Sequence, residues 1–428
     1  MKTGKGFQRR PLIGTFLSEW LVAGWDDALW EQELTAMREI GMEYLILAPT
    51  VFRALDKPAT ACYATSIPSV FSRQSPNDLI DTLLRNARKF DMKVFLGLNM
   101  DDLWWKLWWK TRYTLSRRDW LLEQMHTGNQ AAGEMYQRYH GAYPDTFYGW
   151  YWVWEFWNSP IMAPNRFRRD DSIRMLADSL NINLDYLTAL DSAMPLLFSP
   201  FANMTLTTEE DLYHIWKDIF ACTRFREGDI FCPQDSIGAG GTKMPELRGC
   251  YAAYRRACDT KPCLRFWANN ESFDVSDWSS AFLSRFVEQM ETTGEFTEEN
   301  ITFAYNNYYS PVNVGGGFHN AYLRYLQTGA LDMSAPAAPG EVWLTESEGQ
   351  KLLQWSACER AAAYQIYKNG KIYGSIKQGR NDGKGFVPAL PCEYPADMER
   401  ADYAVAAISW EGVPSPAIHT GKGEKMEP

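Results

Sequence analysis

Histidine is scarce in this chain, five among 428 residues, and none sits in an H-E-x-x-H pattern or an evident ligand pair. That argues against a metal centre built from the protein's own side chains. Eight cysteines are present, among them Cys222, Cys232, Cys250, Cys258 and Cys263, but no C-x-x-C pair or zinc spacing, so they read as buried free thiols. No run of about 18 apolar residues occurs, which excludes a spanning helix and any membrane role built on one. Positive charge is also short: 43 Lys and Arg face 53 Asp and Glu, a formal net charge of -10. Nucleic-acid binding draws on cations that neutralise phosphates, so no nucleic-acid partner is expected. Phosphate-cradling patterns with their Lys are missing, and no cofactor is called for. The basic start, Met1 to Arg10, runs into a strand-like segment instead of an apolar stretch with a cleavage site. As it stands the sequence points to the cytoplasm, or to secretion if a leader has been removed.

Carboxylates and tryptophans are abundant instead. Aromatic residues make up 14% of the chain, with 18 Trp. They cluster at Trp104, Trp105, Trp108 and Trp109 and again at Trp150, Trp152, Trp154 and Trp157. The first group forms one broad face if helical, suited to the wall of a cleft that meets the C–H-rich faces of sugar rings. The length suits one large domain plus a small module.

Short apolar runs alternate with amphipathic stretches eight times. The strand candidates are 12–17, 44–48, 93–98, 149–154, 194–198, 229–233, 263–268 and 301–305. Between them, 26–40 has helical spacing with Gly41 as its stop. Ser75-Pro76-Asn77-Asp78 and Thr208-Glu209-Glu210-Asp211 read as helix starts with caps. Eight repeats over about 330 residues predict an α/β fold, a (β/α)8 TIM barrel, with a doubly wound sheet as runner-up. A small-residue and Pro-rich passage, 331–340, reads as a linker. Beyond it, 341–428 alternates in the strand manner around an Asn369-Gly370 turn and resembles a fibronectin type III sandwich. The expected domains are therefore 1–330, a linker at 331–340, and 341–428.

In such a barrel, chemistry sits just past the strands. Walking those ends yields Glu19 and Trp20, Asn99 and Asp101, Glu155, Gln234 and Asp235, Asn269, Asn270 and Glu271, and Asn306. Glu155 closes an aromatic run, Trp-Tyr-Trp-Val-Trp-Glu, where apolar surroundings raise a carboxyl's pKa toward that of a general acid. Glu271 ends the seventh strand behind two Asn. Strands four and seven face each other across a barrel mouth, which is what glycosidic cleavage by a carboxylate pair requires. Asp235, followed by Ser-Ile-Gly-Ala-Gly-Gly241, could replace either Glu or bind a hydroxyl beside Gln234. Trp104, Trp152 and Trp267 are the expected substrate-contacting rings, with Glu19, Trp20, Asn99, Asp101, Gln234, Asn269 and Asn306 as polar and rim contacts. Gly315-Gly-Gly317 ahead of a helix leaves a sugar-phosphate substrate open, although the nearest Schiff-base candidate, Lys243, lies in a loop.

Gly14-Thr-Phe-Leu-Ser-Glu-Trp20, Trp25, Trp30-Glu-Gln-Glu-Leu34 and Gly41-Met-Glu-Tyr-Leu-Ile-Leu47 resemble the opening of DUF4434, a bacterial family of glycosidase-like barrels. Gly149-Trp-Tyr leading to Glu155, Gln234-Asp235 with Ile237-Gly238, and Trp267-Ala-Asn leading to Glu271 are similar to its later motifs. The resemblance covers most of the first 330 residues. It implies a TIM barrel that hydrolyses polysaccharide or glycoconjugate linkages, with these acids in its cleft. Trp154 stands where relatives of known mechanism carry Asn before the strand-four acid. Taken together, the expectation is a retaining hydrolase with Glu155 as acid/base and Glu271 as nucleophile. A non-catalytic carbohydrate-binding barrel is the alternative. Oligomeric state is not legible.

Overall fold

The computed structural model describes every residue except 1–5, 74–77, 111–114, 159–165, 348, 382–385, 388–389, 398–400 and 422–428. The chain forms two compact units. One comprises Pro11–Glu271 with Glu288–Tyr305, and the other Met1–Arg10, Ser272–Val287 and Asn306–Pro428.

The first unit holds a closed barrel of eight strands: β1 (Gly14–Ser18), β2 (Tyr44–Ala48), β3 (Lys93–Gly97), β4 (Phe147–Trp152), β5 (Leu196–Phe198), β6 (Ile230–Phe231), β7 (Arg265–Glu271) and β8 (Glu299–Phe303). All neighbours are parallel, and β1 closes on β8 through Gly14 opposite Ile301. The sequence accounts for this: strands covered on both faces are nearly continuous apolar runs, as in Tyr-Leu-Ile-Leu-Ala of β2. Each of the eight expected strands is present, displaced at its ends by up to three residues.

Helices follow the strands: α1 (Asp27–Glu39), α2 (Leu79–Lys89), α3 (Leu115–Met135), α4 (Arg166–Leu190), α5 (Glu209–Cys222) and α6 (Met244–Cys258). The cap of α2 is Asp78, whose side chain accepts from the Asp81 N–H. The expected start three residues earlier is thus displaced, and Ser75, Pro76 and Asn77 lie outside the described residues. The start of α5 is as read, a reciprocal capping box between Thr208 and Asp211. Thr208→Ala should therefore destabilise the protein by about 1 kcal/mol, measurable as a lowered urea midpoint with an unchanged slope.

One element was not foreseen. Val51–Arg53, Ala59–Ala61, Val70–Ser72 and Asn99–Asp101 form a four-stranded side sheet from the segments that follow β2 and β3. Its strands of three residues are too short to show a period, and pairing alone defines them.

In the second unit, α7 (Gly316–Thr328) precedes two antiparallel sheets. The first has three strands, β9 (Val342–Ser347), β10 (Gln350–Trp355) and β13 (Glu393–Ala396). The second has four, β11 (Ala363–Lys368), β12 (Lys371–Lys377), β14 (Tyr403–Ile408) and β15 (Ile418–His419). They share a core of Val342, Leu353 and Trp355 from one sheet with Tyr364, Ile366, Ile376, Tyr403 and Val405 from the other. Residues 331–339 carry no regular structure, yet Asp332 is held by Arg324 at 2.9 Å and Arg360 at 2.7 Å. Arg324 also binds the buried Glu411 at 2.5 Å. The glycine run at 315–317 has a packing explanation: a Cβ on Gly317 would lie 2.1 Å from the Trp410 indole. Close approach of that ring, more than phosphate binding, accounts for glycine there.

Candidate active site

Alternation along the barrel strands decides which side chains enter the mouth. On β4, Tyr151 points inward and meets Phe16 of β1 edge-on at 5.0 Å. Glu155 lies four residues beyond it. On β7, Trp267, Asn269 and Glu271 share the inward face. Phe266 turns outward onto Tyr251 of α6, 5.9 Å between centroids. Asn270 also turns outward, its amide donating to Thr293 at 3.0 Å.

Glu155 is only partly exposed, in a segment whose other members Trp152, Trp154, Phe156 and Trp157 are buried. Burial drives its pKa from 4.5 up to about 7, and a hydrogen bond from Gln234 opposes the rise. The segment carrying it is braced on both sides. The Trp104 indole donates to the Glu155 carbonyl at 3.2 Å, Phe201 N–H donates to the Phe156 carbonyl at 2.9 Å, and Trp157 stacks on Phe201 at 5.4 Å. The side chains of Arg166 and Arg168, the basic residues that follow it in the sequence, lie outside the described residues.

Gln234 extends this network. Its amide donates to the Ser199 carbonyl at 3.0 Å, and its backbone bridges Asn269 in parallel fashion. The Asn269 amide donates to the Ser199 hydroxyl at 3.0 Å, and the Asn269 side-chain oxygen is buried with no partner among the described residues. Ser199 is a participant that the sequence reading missed. It directly follows Leu196-Leu-Phe198, and its place at the end of β5 was the available signal. Two residues beyond Asn269, Glu271 is 1% exposed and accepts from the Ala239 N–H at 2.7 Å. The glycine-rich loop 238–241, with Gly240 at φ +75°, thus brings backbone to the carboxylate. Replacing Gln234 by Leu would remove the bond that holds the Glu155 carboxyl down. Its pKa should rise further, moving the alkaline limb of a kcat–pH profile upward.

Several expected contacts lie elsewhere. Asp235, one residue from inward-facing Gln234, points the opposite way and is fully buried. It accepts from Ile237 N–H at 3.0 Å, Asn270 Nδ2 at 3.0 Å, Glu271 N–H at 3.2 Å and Gln289 Nε2 at 2.6 Å. That surrounds it with wall and helix groups behind the β6–β7 edge, which corrects its placement in the catalytic pair. Trp152 also faces outward, donating to Asn183 of α4 at 2.9 Å. Trp267 packs on Tyr44 at 5.2 Å, near the starts of β2 and β7 and so at the barrel floor. Neither ring lines the mouth. Glu19 is ion-paired with Arg73, Trp20 is 55% exposed, and Asn99 and Asp101 belong to the side sheet. Asn306 is buried in the other compact unit, its carbonyl accepting from Asn313 at 2.6 Å.

The profile of the family described as Domain of unknown function (DUF4434) matches residues 12–315. The chain belongs to this family. Among solved structures, a candidate alpha-L-fucosidase from Bacteroides thetaiotaomicron is similar, with a TM-score of 0.57 at 19% identity, covering 75% of this chain and 93% of that one. An endo-1,4-beta-mannanase from Rhizomucor miehei has a TM-score of 0.46 at 14% identity, with 70% and 86% covered. A beta-glucosidase from Thermotoga maritima has a TM-score of 0.46 at 8% identity, with 77% and 99% covered. No curated protein sequence matches. The fucosidase likeness identifies the fold of this DUF4434 chain as one found among glycoside hydrolases.

Proposed function

We propose that the protein is a retaining glycoside hydrolase acting on an oligosaccharide, polysaccharide or glycoconjugate. The observation that carries this reading is the contrast between two glutamates, Glu155 just beyond the end of β4 and Glu271 at the end of β7. Glu155 keeps its proton to about pH 7, as a general acid must. Glu271 receives a backbone N–H at 2.7 Å, a bond that fixes its carboxyl for attack on the anomeric carbon. In the proposed cycle Glu155 protonates the departing oxygen while Glu271 forms a glycosyl ester, and Glu155 then takes a proton from the water that cleaves it. Gln234 and Asn269 hold substrate hydroxyls, and Trp104 fixes the acid-bearing segment. Asp235 is assigned a positioning role beneath Glu271. The sheets of 341–428 are proposed to be a fibronectin type III-like module, on the strength of their three-plus-four strand arrangement, with 1–330 as the catalytic module.

A screen of aryl glycosides and natural glycans, read by product release and by binding together, tests the reading. Release of sugar with retained anomeric configuration, followed by NMR, is the expected result. Inverted product would reject Glu271 as nucleophile. Binding without release across the panel would leave a carbohydrate-binding barrel.

A further inference from the structure

Apart from the barrel mouth, the side sheet and α3 line a half-open cavity of about 580 Å³ whose lining includes Arg53, Pro58, Phe71, Asn99, Asp101 and Gln124. Two of its polar groups, Asn99 and Asp101, are fixed and buried. Asn99 and Asp101 are 3% and 2% exposed, and the Asn99 amide lies 3.5 Å from the Gln124 carbonyl oxygen. Asp101 lies 3.3 Å from Arg53 Nε and accepts from the Leu103 N–H at 2.8 Å. At the rim, Phe71 is 62% exposed, a large apolar ring that the fold leaves in water. The cavity's size matches a small-molecule site, and its lining mixes apolar residues such as Val51, Pro58 and Met100 with polar ones in about equal part.

The charges identify the ligand class. Arg53 and Lys57 balance Asp101 and Glu123 within the same lining, so no net charge is offered to an ionic ligand. Planar amide, carboxylate and guanidinium groups in the lining suit paired hydroxyls, and the open ring suits the C–H face of a pyranose. The Leu103–Lys110 helix that begins at this cavity also carries Trp104, the indole that holds the Glu155 carbonyl at 3.2 Å.

We infer that this cavity is a second sugar subsite, taking one neutral pyranose of a glycan at a distance from the bond that is cut. The inference rests on the hydrolase reading only for the word "cut". Calorimetry with the full chain tests binding by itself, using neutral gluco-, manno- and xylo-configured hexasaccharides and a galacturonate hexamer as the charged probe. At least one neutral hexasaccharide should bind the parent protein and Glu155→Gln with the same Kd. Phe71→Ala and Gln124→Leu should each weaken that binding tenfold or more, with kcat on a small aryl glycoside unchanged. Because Phe71 is mostly exposed, its variant should melt at the parent temperature. Equal binding by parent and both variants, binding of no neutral hexasaccharide, or tighter binding of the galacturonate hexamer would each overturn the subsite. A protein that binds as described but never turns over would sink the hydrolase reading and spare this one.

Discussion

Glu155→Gln should remove turnover by a factor on the order of a hundred to ten thousand, the range expected for a lost general acid, while substrate still binds. The same substitution should change stability in a pH-dependent way, as expected for any carboxyl whose pKa burial has raised. The carboxyl's ordinary pKa of 4.5 is raised by burial to about 7 in the folded chain. Below pH 4.5 the group is protonated in both folded and unfolded states and its full contribution is present. As the pH climbs toward 7 the unfolded chain releases its proton while the folded one retains it, so stability is lost across that window. The difference corresponds to about 3 kcal/mol at most. Glu155→Gln should therefore be as stable as the parent at pH 4 and more stable at pH 8, read from urea unfolding at both values. In the parent, kcat should fall as the pH rises through about 7, because the acid is then deprotonated. A flat kcat profile and equal stability at pH 8 would together dismiss Glu155 as the acid.

The barrel was legible because its signal is redundant. Eight apolar runs, capped helices such as the Thr208–Asp211 box and family motifs all agree, and closure needs only their count. The glutamates were legible because each stands where an apolar run ends. What the reading lacked was a strand frame. Period-two alternation along β4 puts Tyr151 inward, where it meets Phe16 of β1, and Trp152 outward, so its indole meets Asn183 and not a sugar. The same rule separates Gln234 from Asp235, neighbours on opposite faces of one segment. Trp267 shares the inward face with Glu271, but four residues of strand put it roughly 13 Å lower. Direction was right there and depth was not. Asn99 and Asp101 eluded assignment for another reason, since the side sheet holding them is defined by pairing between distant three-residue segments, which leaves no local pattern.

Glu271→Ala and Asp235→Asn should fail in different ways, and that contrast tests the division of labour between the two acids. Truncating the nucleophile should cost roughly ten-thousandfold or more in turnover. Adding azide as a small external nucleophile should restore part of the first step and yield a glycosyl azide of inverted configuration, detectable by NMR. Asp235→Asn should instead act on the fold. Asn270 Nδ2, Gln289 Nε2 and the Glu271 N–H all donate to Asp235 Oδ2, and the Ile237 N–H donates to Oδ1. An amide has one oxygen, so its NH2 must face donors on one side, leaving buried groups without acceptors. Bonds to a charged group are each worth about 1.5–3 kcal/mol, so a loss of roughly 3 kcal/mol or more is expected. The urea midpoint should drop accordingly, and activity should fall only in so far as Glu271, whose N–H Asp235 holds, loses its position. Azide should rescue the first variant and not the second. Rescue of Asp235→Asn with an undiminished midpoint would return Asp235 to the catalytic pair.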